Sequence, residues 1–494
     1  MPIEPKLPRG RGAAMIACLS AGSAFAAQPE SARVEVNDNA SLTAVVEFTV
    51  PGHSAPASRG TAPYPLAPDW QLNLRRQVGA VRIGDMNGDG RNDIVIGCFI
   101  SNSFPPYTDW RDMIVFNTPT GLEAAPSWVS ADQVHTGDLQ IGDINLDGRP
   151  DIFAVTGGGG FSPPRIYYGG GGPLGGPSTS PAWISTPPTS GWATGGALFD
   201  ADNDGDLDII TTNQGVSPNA FRPMYFWRNL QVQGGGLPTS PVWSSSEVSI
   251  QNTVATADMD GDGLAEIAVA KWVNFKSGLY ENNAGTPSAN PVWEATTTNG
   301  DRGVAWADVD ANGWPDLMIG GSGSTNQSRL YSNTAGVLTQ TWSASLAFVG
   351  QQEITFADVN NDGRPDYAEV HFSNGQTHIF INEDGTLHST PDWTFDASEV
   401  GNALAFGDLN GDGRPDLVVG YSGDVSVRVF YAIVPPCLGD LNHDGVVNTL
   451  DLTEFLASFA TGVPPGTSGD LNGDGVVNTQ DLTLFLGAFG TPCP

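Results

Sequence analysis

The sequence predicts an all-β, seven-bladed β-propeller followed by a small α-helical, calcium-binding domain. Three observations carry that expectation. An acidic turn recurs seven times at intervals of 50 to 58 residues, and a tryptophan recurs with it. A near-duplicated pair of longer acidic loops then follows, each leading into a short segment of helical apolar period.

Composition agrees. Of 494 residues, 62 are Gly and 37 are Pro while only 15% are charged, which argues against long helices. Thirteen Trp and 22 Phe argue equally against disorder. Lys and Arg number 21 against 54 Asp and Glu, a net charge of −33. No basic stripe is available to release counterions from phosphate, so nucleic acid is excluded as a partner, and anionic membranes for the same reason. Cations and surfaces remain.

Residues 1–27 read as a signal peptide. Lys6, Arg9 and Arg11 precede the short apolar stretch Ala13 to Ala21, and Ala24-Phe25-Ala26 supplies a small-residue cleavage site. Cys18 follows too few apolar residues to serve as a lipid-modified cysteine. No apolar run reaches the length of a transmembrane helix. Residues 28–61 form an N-terminal linker or extra strands, with a β-like stretch from Val34 to Val50.

The segment D-x-[DN]-x-[DN]-G-x-x-[DE] starts at Asp85, Asp143, Asp200, Asp258, Asp308, Asp358 and Asp408. Each copy lies between a short apolar stretch and a β-rich one, as in Val81-Arg82-Ile83 before and Ile94-Val95-Ile96 after the first. That is strand, acidic turn, strand. Trp70, Trp128, Trp183, Trp243, Trp293, Trp342 and Trp393 each precede an acidic turn by 15 to 17 residues. An aromatic-x-Asn strand end recurs upstream of several, at Asn229, Asn282, Asn333 and Asn382. Each unit thus holds about four strands, the size of a propeller blade. The strand at Trp70 is expected to complete the last blade, beside Ser426 to Ala432, and so hide two edges. The rival is an open β-solenoid, for which repeats of this size are large.

Alternate positions of such a turn aim oxygens at one point, the sixth-position Gly permits the sharp bend, and the ninth position returns a carboxylate. Oxygen-only donors in a flexible arrangement suit Ca²⁺. The expected ligands are Asp85, Asn87, Asp89 and Asp93, then Asp143, Asn145, Asp147 and Asp151. The third and fourth turns offer Asp200, Asp202, Asp204 and Asp208, and Asp258, Asp260, Asp262 and Glu266. The fifth, with Asn in the fifth position, offers Asp308, Asp310, Asn312 and Asp316. The last two offer Asp358, Asn360, Asp362 and Asp366, and Asp408, Asn410, Asp412 and Asp416. A metal-free Asx turn favours the same residues. Seven copies with acids at both ends favour calcium, because a plain turn needs no ninth-position carboxylate.

These units resemble FG-GAP/VCBS repeats of the integrin-α-like propeller over residues 62–433. The resemblance implies a Ca²⁺ loop on each blade hairpin and an extracellular recognition or adhesion scaffold. It names no ligand.

From residue 434 the pattern changes. The loops starting at Asp440 and Asp470 are near copies 30 residues apart, with oxygen-bearing side chains at positions 1, 3, 5, 9 and 12. Short helices are expected at Leu452 to Phe459 and Leu482 to Phe489. The tandem resembles a type I dockerin. The ligands this implies are Asp440, Asn442, Asp444, Asn448 and Asp451, then Asp470, Asn472, Asp474, Asn478 and Asp481, giving up to nine Ca²⁺ sites in all. It also implies a cohesin-like partner, met through Thr449-Leu450 and Thr479-Gln480 and the helices that follow. The basic residues often found further along those helices are missing here (Leu456-Ala457, Leu486-Gly487). The alternative is a calcium-stabilised terminal cap. Cys437 and Cys493 bracket the tandem, and a disulfide between them in an exported chain would contribute roughly 4 kcal/mol. Cys98, after an apolar run, reads as a buried thiol.

Nothing announces catalysis. None of the six His stands in a tight metal spacing, and no G-x-S-x-G elbow occurs. His371 and His378 read as packing residues of one blade. The run Gly170 to Gly175 matches G-x-G-x-x-G, but Pro173 and the lack of a following helix make it a loop. The expectation is a secreted, monomeric recognition or adhesion module for an extracellular protein or polysaccharide. The alternatives are a polysaccharide-degrading enzyme, glycoside hydrolase or lyase, and a calcium-dependent lectin. Trp192, Trp272, Trp306 and Trp314, outside the regular series, are the aromatics freest to meet a ligand. The nine loops contain 30 of the 54 acids, so nine bound Ca²⁺ would bring −33 to about −15. Most of the acidity is local ligand chemistry, and a moderately acidic surface remains.

Overall fold

A computed structural model describes residues 31–34, 46–49, 62–99, 109–157, 162–188, 191–215, 221–272, 274–296, 300–323, 327–346, 349–433, 439–442, 446–463, 469–472 and 475–490. The expected signal peptide, Asp444, Asp474, Cys437 and Cys493 lie outside them. Residues 1–60 and 61–494 form two units. In the first, Ser31–Val34 pairs antiparallel with Val46–Thr49.

The second unit is almost wholly β. Every acidic turn joins the first and second strands of a four-stranded antiparallel meander. The first meander contains Val78–Gly84, Asp93–Cys98, Met113–Val115 and Trp128–Val129. The second contains Thr136–Gly142, Asp151–Thr156, Arg165–Tyr167 and Trp183–Ile184. The third and fourth begin at Ala193–Phe199 and Gln251–Ala257. The fifth and sixth begin at Asp301–Ala307 and Val349–Ala357, and the pairing of Ser322 with Gly350 joins them into one eight-stranded sheet. The last runs Val400–Gly407, Asp416–Ser422 and Val427–Phe430, and its fourth strand is Trp70–Leu72 from the other end of the unit. Trp70 stands opposite Val429 and Leu72 opposite Val427, as the sequence leads one to expect.

Burial explains why these segments are strands. Second strands such as Asp93–Cys98 and Glu266–Lys271 are buried at every position, so their alternate residues feed the cores on both faces. The first strand of each meander packs against the first strand of the next, and Val400–Gly407 packs against Val78–Gly84. A cavity of about 430 Å³ lies among these first strands. Across it Arg82 bonds Asp138 at 2.5 Å and Glu353 at 3.0 Å. The recurrent tryptophans stand on fourth strands and pack inward: Trp128, Trp183 and Trp393 are buried, and Trp128 meets Tyr167 edge-on. Cys98 is buried and unpaired. His371 and His378 are buried in the second and third strands of the sixth meander. The Gly170 to Gly175 run is a turn that ends in the three-residue 3₁₀ element Pro173–Gly175.

Two helices, α1 (Thr449–Ser458) and α2 (Thr479–Ala488), follow. Each begins three residues before the expected start, because Asn448 and Asn478 act as N-caps. Asn448 accepts the Leu450 amide while Asp451 reaches back to the Asn448 amide, a capping box, and the second copy repeats it. Val447, Phe455, Val477 and Phe485 form the small core between them.

Candidate metal centres

The acidic turns are built from within. The first-position carboxylate wraps the loop: Asp85 Oδ1 accepts the amides of Gly88 and Asp89, and Oδ2 accepts that of Gly90. Asp143, Asp200, Asp258, Asp308, Asp358 and Asp408 likewise accept the amide of the sixth-position Gly. That Gly sits near φ +85 in the first turn, where a side chain is strained. Fifth-position oxygens in turn accept the amide two residues on, as Asp147 does from Arg149.

The ninth position plays another part. Asp93 is fully buried; its Oδ2 accepts the Met86 amide at 2.9 Å and its Oδ1 the Asn117 amide at 2.8 Å. Asp151, Asp208, Asp316, Asp366 and Asp416 repeat this double acceptance, binding the second position of the turn to the end of the third strand. Burial pushes these carboxyl groups up, to about 7 in Asp93, Asp208 and Asp366 and to about 6 in Asp151, Asp316 and Asp416. The ninth-position acid is therefore a structural acceptor as well as a candidate metal ligand.

The aromatic-x-Asn strand ends also acquire a purpose. Asn229 Nδ2 donates to the carbonyl of Ile144, in the preceding turn, at 2.8 Å. Asn282, Asn333 and Asn382 do the same to Ala201, Met259 and Val309. Asn117, which the aromatic pattern passes over, reaches Leu409 in the last turn. Six of the seven turns are thus tied to their own third strands by a carboxylate, and five are tied to the next meander by an asparagine.

The donor sets fit a hard divalent cation. Asp200, Asp202 and Asp208 bring oxygens within 4.8 Å of one another, as do Asp258, Asp260 and Asp262, and Asp308, Asp310 and Asp316. Within the third and fourth turns, Asp202 Oδ1 and Glu266 Oε1 are buried without any hydrogen-bond partner. A buried carboxylate oxygen without a donor is costly unless something positive meets it; Arg228 lies 3.2 Å from the other oxygen of Asp202, whereas no ion pair among the described residues reaches Glu266. Asn87, Asn145, Asn360 and Asn410 supply neutral oxygens at the third position, and Asn312 at the fifth. In the helical pair, Asp451 Oδ1 accepts the Leu441 and Asn442 amides, and Asp481 does so from Leu471 and Asn472. The twelfth position so closes the loop on its own start, near Asp440 and Asp470.

Four of the six tryptophans outside the regular series separate. Trp314 packs over Gly261 of the neighbouring turn, and Trp306 lines the cavity among the first strands. Trp272 lies under the Arg302 guanidinium at 4.4 Å. Trp192 is 41% exposed.

Residues 85–154, 143–211, 308–369 and 358–419 match the FG-GAP-like repeat, and residues 438–486 match the dockerin type I domain. No curated protein matches the chain. A chain from the crystal structure of BBS1N in complex with ARL6DN, soaked with lead, is similar in fold, with a TM-score of 0.50 and 13% identity. The match covers 74% of this chain and 94% of that one.

Proposed function

The chain carries FG-GAP-like repeats and a C-terminal type I dockerin domain, and from that premise we propose a calcium-stabilised, exported recognition module that the dockerin tethers to a larger assembly. The seven meanders are read as the blades of a closed propeller over residues 62–433, with the tether at 434–494. The shared packing of successive first strands and the Trp70–Leu72 strand in the last meander support closure. Calcium would be held by the first-, third- and fifth-position oxygens of each turn, with the ninth-position carboxylate beneath, and by the ten positions of the dockerin pair. When bound it neutralises clustered carboxylates and stiffens the loops.

The observation that carries the reading is the repeated turn, whose carboxylates converge in its third, fourth and fifth copies, with one oxygen of Asp202 and one of Glu266 left without a hydrogen-bond partner. For the tether, type I dockerin domains bind cohesin modules, and Leu450 and Leu456 on α1, with Leu484 and Leu486 on α2, are exposed. Exposed apolar side chains on short helices are what a partner would cover. Among the described residues no helix is long and apolar enough to cross a membrane.

The test is to pass the full chain, with calcium, over immobilised polysaccharides and over a cohesin module, scoring retention and released sugar separately. Retention without released sugar is the expected result. Released sugar would convert the reading to the enzymatic alternative.

A further inference from the structure

We infer that the cavity between the second and third meanders binds a single neutral sugar ring, with the Ser185 hydroxyl as a contact to it. The inference rests on the recognition reading and assigns it a place and a ligand class. The cavity measures about 260 Å³ and is lined by residues that include Pro164, Ser185, Gly191, Asn213, Tyr225 and Trp227. That is below the roughly 300–1,000 Å³ of sites for drug-sized ligands, so it suits one ring with its substituents. Its described wall has aromatic, hydroxyl, amide and proline groups and no charged side chain. An ionic ligand would be desolvated there without a counter-charge. A ring with apolar faces and hydroxyl edges would find partners for both.

The internal repeat supplies the control. Ser130, Ser185 and Ser245 stand two residues after the recurrent tryptophans of the first three meanders, and the amide of each donates to the residue just before its third strand. In the first meander the Ser130 hydroxyl accepts the Asp112 amide at 3.1 Å and donates to the Asp132 carbonyl at 2.8 Å. In the third, the Ser245 hydroxyl accepts the Met224 amide at 3.1 Å and donates to the Glu247 carbonyl at 2.7 Å. In the second, the residue facing Ser185 is Pro164, which has no amide hydrogen to give. Ser185 is 2% exposed, yet its Oγ has no hydrogen-bond partner, and it opens onto the cavity. One proline has converted a structural hydroxyl into an unsatisfied one at a cavity wall. Buried polar groups are rarely left so, and a ligand hydroxyl would complete it.

The experiment titrates the full chain, in calcium, with the methyl pyranosides of glucose, galactose, mannose, xylose and N-acetylglucosamine by calorimetry. Binding of at least one is expected. Ser185→Ala should weaken it roughly three- to tenfold, the effect of one neutral hydrogen bond, without lowering the thermal midpoint, since the hydroxyl holds nothing in the free protein. Ser130→Ala should do the reverse, lowering the midpoint and sparing binding. Pro164→Ala, which restores an amide facing Ser185, should also weaken binding. Binding unaltered by both Ser185→Ala and Pro164→Ala overturns the site and leaves the recognition reading standing. So does retention on the polysaccharide panel with no pyranoside bound. Absence of both removes the site and the glycan form of the recognition reading together.

Discussion

Asn117 donates its side-chain amide to the carbonyl of Leu409 at 2.6 Å, joining the first meander to the last acidic turn across 292 positions. Both residues are at most 5% exposed, so the carbonyl has no water to fall back on. Asn117→Ala should therefore cost about 1–3 kcal/mol, the penalty of an unsatisfied buried acceptor. Urea denaturation reads this directly, and Asn229→Ala, which breaks the equivalent bond to Ile144, provides the comparison. An unshifted midpoint for Asn117→Ala would show that this junction does not depend on the bond.

The two ends of an acidic turn should respond differently to truncation in a chelator. Asp366 is buried and accepts the Val359 amide at 2.9 Å and the Asn382 amide at 2.7 Å. Asp362 is more exposed, and its Oδ1 serves one neighbouring amide at 3.0 Å. With EGTA present, Asp366→Ala should destabilise by about 2–6 kcal/mol, one penalty per orphaned amide, and Asp362→Ala by less than about 1 kcal/mol. Adding calcium should then stabilise the parent but neither variant to the same extent. Equal losses in chelator would refute the division of labour.

Calcium itself should raise the melting temperature. A site filled at 100 times its Kd stabilises by about 2.7 kcal/mol, and extracellular modules have Kd values of about 0.1–1 mM. Calorimetric scans from EGTA to 10 mM Ca²⁺ should show a graded rise that Mg²⁺ reproduces poorly, since Mg²⁺ demands octahedral geometry and sheds its waters reluctantly, whereas Ca²⁺ accepts a flexible oxygen cage. A transition indifferent to EGTA would remove the calcium proposal.

His378 supplies a pH response. Burial, with His371 beside it at 4.8 Å between rings, lowers its pKa from 6.5 to about 4. The folded chain therefore resists a proton that the unfolded chain takes up readily. The stability from this group is fully present above about pH 6.5 and is lost as pH falls toward 4, by up to roughly 3 kcal/mol. His378→Gln should flatten that part of the stability curve between pH 6.5 and 4. A variant as acid-sensitive as the parent would assign the loss elsewhere.

Local chemistry was legible in the sequence; partners far along the chain were not. The acidic turns, the paired strands around them and the tryptophan on each fourth strand follow from short-range pattern. The seam at Trp70 followed from counting where the repeat begins and stops. Asn229 was visible as a motif, but its use was hidden because its acceptor lies 85 positions earlier. Asn117 was missed because Val115, not an aromatic residue, precedes it by two. The ninth-position acids were legible as acids, while one of their two amide donors lies 16 to 24 positions on, at the end of the third strand. Ser185 looked like any serine, and only the register that sets it against Pro164 makes its hydroxyl exceptional.

The strand Trp70–Leu72 has a consequence for biosynthesis. Translation delivers it before any of the second unit's other strands, and its partner Val427–Phe430 near the end of the strand series. Until then the early strand has an unsatisfied edge and the late meander lacks a fourth member. The last sheet is therefore sealed by a contact of very high sequence separation, the kind that slows folding. A ribosome-bound chain would hold six finished meanders and one open seam. Any factor that catches such edges has its longest opportunity on this segment, and a truncation just before Val427 would make that opportunity permanent.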